Sequence, residues 1–338
     1  MQGKLPAIIL GALVLLAGAY FLLSEQQSRP DDSSTGQLLF PQLEQKLNDI
    51  TRIRVEHNGN VYDVENKDGH WQLPNKGGYP VLFERVKPLL LGIALLEKVE
   101  PKTEKPEYYA RLGVQAPDAK SDNTRIELYT GDDAAASLII GRIEQGMIAG
   151  GRDGIYVRLS GDPRAWLVAG NLDLPQAEVD WVDRKIIHIK PKTVERVTIR
   201  QPDDSRLVIE KGYRGAPGFS VINIPEGTGP KNPSEVNALA RSLAGLMMDD
   251  ILVRSEAGFS QAEAVAAVFE TWDGLQVTAY TVERAHKIFV WFDVAGTHQT
   301  DVAELRSRLA GWWVYQIPRS RGDRLRARLT DLSDADPG

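Results

Sequence analysis

Ile50-Thr51-Arg52-Ile53-Arg54-Val55-Glu56-His57-Asn58-Gly59-Asn60-Val61-Tyr62-Asp63-Val64-Glu65 is the stretch that decides the fold class. Apolar and polar residues alternate from Ile50 to Val55, the period of a strand with one buried face. Asn58-Gly59 is a strong tight-turn signal, and Val61 to Glu65 alternates again, so the stretch predicts a β-hairpin. About 144 residues later the pattern returns as Val194-Glu195-Arg196-Val197-Thr198-Ile199, a Pro202-Asp203-Asp204-Ser205 turn, and Arg206 to Glu210. Each hairpin is followed by a short third strand bearing an aromatic, Trp71 in HWQLP and Phe219 in GFSVI.

A helix is expected next in both halves. In the second, Asn232-Pro233-Ser234-Glu235 supplies a cap, a proline at the first helical position and a Glu three after the cap. Val236, Leu239, Ala240, Leu243, Leu246 and Met247 continue at helical spacing. In the first, Pro80 opens a stripe of Leu82, Phe83, Val86, Leu89, Leu90, Ile93 and Leu96, with Pro88 inside it expected to kink or split the helix. Both halves then return to strands. Arg125–Tyr129, Ser137–Gly141, Gly154–Leu159 and Ala165–Ala169 parallel Val268–Trp272, Gln276–Thr281, Lys287–Asp293 and Trp313–Ile317. Strands grouped around one helix and joined by short turns predict an α+β fold: two tandem, internally duplicated antiparallel-sheet-plus-helix units. The expected boundaries are 1–23 for a cytoplasmic end and transmembrane anchor, 24–40 for a linker, 41–185 and 186–328 for the units, and 329–338 for an acidic tail.

The anchor is read from Leu5 to Leu23, an uncharged apolar run whose helical length of roughly 30 Å matches a bilayer core. Lys4 precedes it, whereas Ser24-Glu25-Gln26-Gln27 follows, so the positive-inside rule keeps the amino terminus cytoplasmic and exports the body. Ala17-Gly18-Ala19 has the small-x-small form of a signal-peptidase site, which leaves cleavage after Ala19 as the alternative; the apolar continuation Tyr20 to Leu23 argues for retention. The segment after Ser24 is rich in Ser, Asp, Gln, Pro and Gly and reads as a linker.

The chain has 338 residues, no cysteine and a net charge of -6, which excludes a lipidated cysteine anchor and disulfides and makes nucleic acid an unsuitable partner. Arg319, Arg321, Arg324, Arg326 and Arg328 form a basic run that reads as a solvated helix face.

Chemical motifs are sparse. His57, His70, His188, His286 and His298 lack metal-pair spacing, and His298 with Asp293 and Asp301 reads more simply as a solvated loop than as a metal cluster. Neither a Gly-x-Ser-x-Gly elbow nor a phosphate loop is present. Gly141, Gly146, Gly150, Gly151 and Gly154 fall between strands, where hairpin turns account for them. The acid pairs Asp180/Asp183 and Asp249/Asp250 could serve acid–base chemistry only if burial separated them, and Asp183 with Arg184 is expected to be an ion pair. Trp291, Phe292, Trp312, Trp313 and Tyr315 are either a partner-binding patch or, more in keeping with alternating strand aromatics, core. No catalytic, cofactor-binding or metal residue is assigned.

Taken in order, HWQLP, a leucine-rich helix, YYARLGVQAP, LIIGR, GIYVRLSG, AWLVAG and VDWVDRKII resemble the DUF4340 family of bacterial envelope proteins. The similarity falls on Trp71, Leu73 and Pro74; Leu112, Gly113 and Pro117; Ile140 and Gly141; Tyr156, Val157 and Arg158; and Trp181, Val182, Asp183 and Arg184. The closing GWWVYQIPRSRGDRL is similar too. Members are commonly found beside genes for gliding-motility-type ABC transporters, so the resemblance implies an auxiliary envelope subunit and supplies no catalytic group. The expectation is a non-enzymatic scaffold or substrate-handling subunit. It is held in the bacterial inner membrane through residues 5–23, with its body outside the cytoplasm and permease subunits as partners. The alternatives are a membrane-anchored envelope enzyme and a module binding cell-wall or lipid ligands.

Overall fold

The computed structural model describes residues 35–224, 232–297, 299–309 and 311–332. The apolar run 5–23 lies outside them, as do most of the linker and His298; among the described residues no helix is long and apolar enough to cross a membrane. The chain is mixed α+β, with antiparallel strand pairs throughout those described.

The first half runs β1 (Arg52–His57), β2 (Asn60–Lys67), β3 (His70–Leu73), β4 (Tyr79–Pro80), α1 (Phe83–Ala94), β5 (Glu97–Pro101), β6 (Thr124–Thr130), β7 (Asp133–Ile148), β8 (Arg152–Leu159) and β9 (Ala165–Gly170). The second runs β10 (Lys185–Ile187), β11 (Val194–Arg200), β12 (Arg206–Glu210), β13 (Ser220–Val221), α2 (Pro233–Ala240), β14 (Leu246–Met247) and β15 (Asp250–Val253). It continues through β16 (Val265–Thr271), β17 (Leu275–Arg284), β18 (Lys287–Gly296), α3 (Gln299–Arg308), β19 (Trp313–Ile317) and α4 (Arg319–Leu325).

Two compact units form. One comprises residues 35–67 with Val86–Leu174; the other takes Asp68–Arg85 together with the described residues from Pro175 onward. In the first lies the run β2-β1-β6-β7-β8-β9-β5; in the second, beyond the edge strand β13, the run β12-β11-β16-β17-β18-β19-β15. The orders correspond strand for strand. In each sheet the opening hairpin supplies an inner strand with one buried face: Ile53, Val55 and His57 alternate on β1, and on β11 Val194 is followed, past a register shift, by Val197 and Ile199.

Three elements depart from the sequence expectation. Pro88 is accommodated inside an unbroken α1, where Val86, Leu89, Leu90, Ile93 and Ala94 are buried while Leu82 and Phe83, expected in the apolar stripe, are exposed. Helix α2 ends at Ala240, although Asn232 caps it as expected, its side chain accepting from Ser234 N at 3.0 Å. Gly245 then adopts φ +62°, and Leu246–Met247 pairs with β10 instead of continuing the helix. β7 extends to sixteen residues rather than stopping at Gly141, and Gly146, Gly150 and Gly151 take left-handed conformations in its hairpin with β8.

The basic run is more than a solvated face. Arg321 donates to Arg241 O at 2.8 Å and Arg326 to Thr281 O at 3.0 Å, and burial lowers the Arg326 pKa. These bonds tie the closing segment to the second sheet.

Candidate ligand cleft of the second unit

One concavity of the second unit is built from a loop that the sequence alone does not mark. After β3, Pro74–Lys76 makes a single 3-10 turn, and Gly77 and Gly78 follow with φ +65° and +74°. Glycine adopts such conformations without a Cβ clash. A Cβ on Gly77 would also lie 2.9 Å from Val253 Cγ2. The loop is clamped by one cation. Lys76 Nζ sits 2.8 Å from Asp250 Oδ1 and 3.2 Å from Glu178 Oε2, and Asn75 Nδ2 donates to Glu178. Burial lowers the Lys76 pKa, but the two carboxylates outweigh it and the net direction is up. Trp313 Nε1 donates to the Lys76 carbonyl at 2.8 Å.

The clamp places Tyr79. Its ring meets Trp313 edge-on at 4.8 Å and Tyr315 at 6.3 Å. Burial raises both tyrosines, Tyr315 the more strongly. Val81 N donates to Trp71 O and Leu82 N to Trp181 O, each at 2.9 Å, which fixes the extended chain on the way to α1. The opposite wall is β10 and the last turns of α3. Arg308 donates to Ile186 O at 2.8 Å, leaving the rest of its guanidinium without an ion pair among the described residues.

The resulting cleft holds about 530 Å³, within the range that accepts small ligands. Apolar walls come from Pro80, Leu82, Ile186 and Trp313; polar groups come from Tyr79, Asp183, Lys185, Glu304, Ser307 and Arg308.

Several residues singled out in the sequence meet here, in roles different from those expected. Asp183 does not pair with Arg184; its Oδ1 accepts from Lys185 N at 2.9 Å. Arg184 instead donates to Met248 O at 3.1 Å and approaches Asp249 at 3.5 Å. Asp180 accepts the Gln176 and Ala177 amides, and Trp181 is fully buried. Both acid pairs are thus divided among separate structural tasks, apart from the exposed Asp183, which reaches the cleft. Of the aromatic group, Trp291, Phe292 and Tyr315 are core, Trp313 is half-buried in the cleft wall, and Trp312 is 73% exposed. Arg308 was invisible as a site residue because nothing in its local sequence marks it. Among the described residues no three His, Asp or Glu side chains converge as a metal site.

In the first unit the other motif residues form a packed knot. Gly113, at φ +72°, ends the short helix Tyr109–Leu112 and lies against Gly141 of β7, whose Cα would stand 3.2 Å from a Gly113 Cβ. Arg158 of β8 stacks 4.6 Å from the Tyr109 ring and donates to Val114 O at 2.9 Å. Tyr109, Val114 and Ala165 are buried together, with Leu112 and Tyr156 packed on them.

The profile of DUF4340, a domain of unknown function, matches residues 71–266. The chain belongs to the DUF4340 family. No curated protein and no solved structure matches it. The DUF4340 match runs from Trp71 through the Lys76 clamp, Tyr79 and β10, and ends before α3 and β19. Seven of the twelve residues lining the cleft therefore lie inside the matched span, and Glu304, Ser307, Arg308, Trp313 and Tyr315 lie beyond it.

Proposed function

We propose that this DUF4340 protein is a membrane-anchored, non-enzymatic auxiliary subunit of a bacterial ABC transport system that handles a ligand in the second unit's cleft. The carrying observation is the cleft itself. It offers apolar walls, aromatic rings and cationic and anionic groups without ion pairs among the described residues, which is the chemistry of holding a ligand. The apolar run 5–23 and the polar linker to residue 40 support a body tethered outside the cytoplasm beside the inner membrane. Tethering two proteins in one membrane raises their effective concentration, so a modest interface suffices for association with permease subunits.

The test is purification of the full chain from its native membranes in mild detergents, with and without prior cross-linking, and identification of what accompanies it. Recovery of ABC permease subunits in stoichiometric amounts supports the reading. Recovery of none across several detergents and after cross-linking refutes it.

A further inference from the structure

We propose that the cleft binds a short zwitterionic peptide, about the size of a dipeptide, carrying an apolar side chain. The inference deepens the ligand-handling role proposed above and rests on it.

The charge arrangement carries the argument. Two elements border the cleft, and each presents one acid and one cation. On α3 these are Glu304 and Arg308, one turn apart, a rise of about 6 Å. On the extended chain entering β10 they are Asp183 and Lys185, two residues apart, which in a strand is about 7 Å. All four side chains belong to exposed residues. A purely anionic ligand would bring its charge against two carboxylates, and a purely cationic one against two cations. A ligand with both charges meets an opposite partner at each end. Two residues of extended peptide span at most about 7 Å, the same separation as the charges on either wall.

The remaining lining gives the rest of the specificity. Arg308 spends one N–H on Ile186 O, and its other N–H groups are positioned to take a carboxylate in the bidentate manner that guanidinium favours. Tyr79 adds a hydroxyl to the cleft lining, a group able to donate to a carboxylate. Leu82, Ile186, Pro80 and Trp313 present apolar surface for a side chain. Carboxylate on Arg308 and Tyr79, amino group on Glu304, and side chain against Trp313 is the assignment, with Asp183 and Lys185 adding one charge of each sign on the other bordering element.

The experiment is isothermal titration of the full-length protein in lipid nanodiscs with four probes: Leu-Phe, its C-terminal amide, its N-acetyl derivative, and decanoate. Leu-Phe should bind, with amidation or acetylation weakening it at least about tenfold, since each removes one charge-assisted partner. Arg308→Met should weaken Leu-Phe at least about tenfold while leaving the amide nearly unchanged, a non-additivity that places the carboxylate at this residue. Glu304→Gln, at an exposed position, should weaken Leu-Phe but not its acetylated form. Tyr79→Phe keeps the ring packing and should cost a few-fold through loss of the O–H. The proposal is overturned if Leu-Phe fails to bind up to millimolar concentration, if decanoate binds and the dipeptide does not, or if both charge variants bind like the wild type. Failure to bind alongside copurification of permease subunits would sink the peptide assignment and leave the subunit reading standing. Binding without permease recovery would do the reverse.

Discussion

Replacing Lys76 by Met removes one charge and keeps the aliphatic stem. The ammonium is 2.8 Å from Asp250 and 3.2 Å from Glu178, and its side chain is 13% exposed against 40% and 21% for the two acids. At about 3 Å and an effective dielectric near 20, each contact is worth roughly 5 kcal/mol before desolvation. Desolvation of Lys76 and solvent access to Asp250 cancel most of that, placing the net loss between an exposed pair and a fully buried one, about 1–2 kcal/mol. For a unit of this size that is a fall in Tm of roughly 2–8 °C. The pH dependence gives a second readout. The folded-state pKa of Lys76 lies above its ordinary 10.5, so the clamp's contribution is fully present below that value and is lost as pH rises through the folded pKa. Differential scanning calorimetry of wild type and Lys76→Met at pH 7 and at increasing alkaline pH is the assay. The gap should hold at neutral pH and close above pH about 10.5. Equal melting temperatures at pH 7 would mean that the loop Pro74–Gly78 is held by its glycines and by Trp313 alone, and that the ion cluster is incidental.

Gly141→Ala should be among the most damaging single substitutions in the first unit. The new Cβ would fall 2.8 Å from the Gly113 backbone and closer still to Leu112 O, neither of which can yield as a side chain tip would. Overpacking against backbone costs about 1–3 kcal/mol or more, measurable by urea unfolding, and a change under about 0.5 kcal/mol would refute the contact. His57→Phe should destabilise by about 1–3 kcal/mol, because His57 Nδ1 meets Asn123 O at 3.2 Å and Thr124 Oγ1 at 3.0 Å in a buried position, and phenylalanine leaves that carbonyl unpaired. A neutral result in the same unfolding assay would refute it. Tyr79 and Tyr315 should remain protonated when most tyrosines ionise, as burial raises both. Unfolded tyrosines titrate near pH 10, so this pair withdraws stability as pH rises above that point. Tyr315→Phe should flatten the alkaline loss of Tm, and an unchanged slope would contradict the assignment.

How much of this was legible beforehand follows from the range over which each signal acts. The hairpins beginning at Arg52 and Val194 were readable because alternation and a turn dipeptide are local, and the strand orders built on them correspond. Strands β5 and β15 were not readable. Glu97–Pro101 and Asp250–Val253 carry little alternation and exist because β9 and β19 offer them an edge. Leu246 and Met247 kept helical spacing yet went to a strand, since Gly245 breaks the helix and β10 supplies the missing hydrogen bonds. The tandem boundary was expected near residue 185, whereas Asp68–Arg85 clusters with the second unit. No local pattern encodes that, because the cause is a set of distant partners: Asp250, Glu178, Trp313 and the Trp181 carbonyl.

The cleft was illegible for the same reason, and the way it is assembled divides a buried scaffold from an exposed wall. Trp71, Leu73 and Trp181 shape the scaffold by being buried, whereas Arg308 and Glu304 contact the cleft from a helix beyond the matched span. A scaffold fixed by burial tolerates few changes, since each costs packing energy, but an exposed helix face can exchange charges at little cost in stability. The Glu304→Gln and Arg308→Met variants should therefore melt close to wild type while altering ligand binding. If they unfold the second unit instead, α3 is part of the core, and the division between a fixed scaffold and a variable wall is wrong.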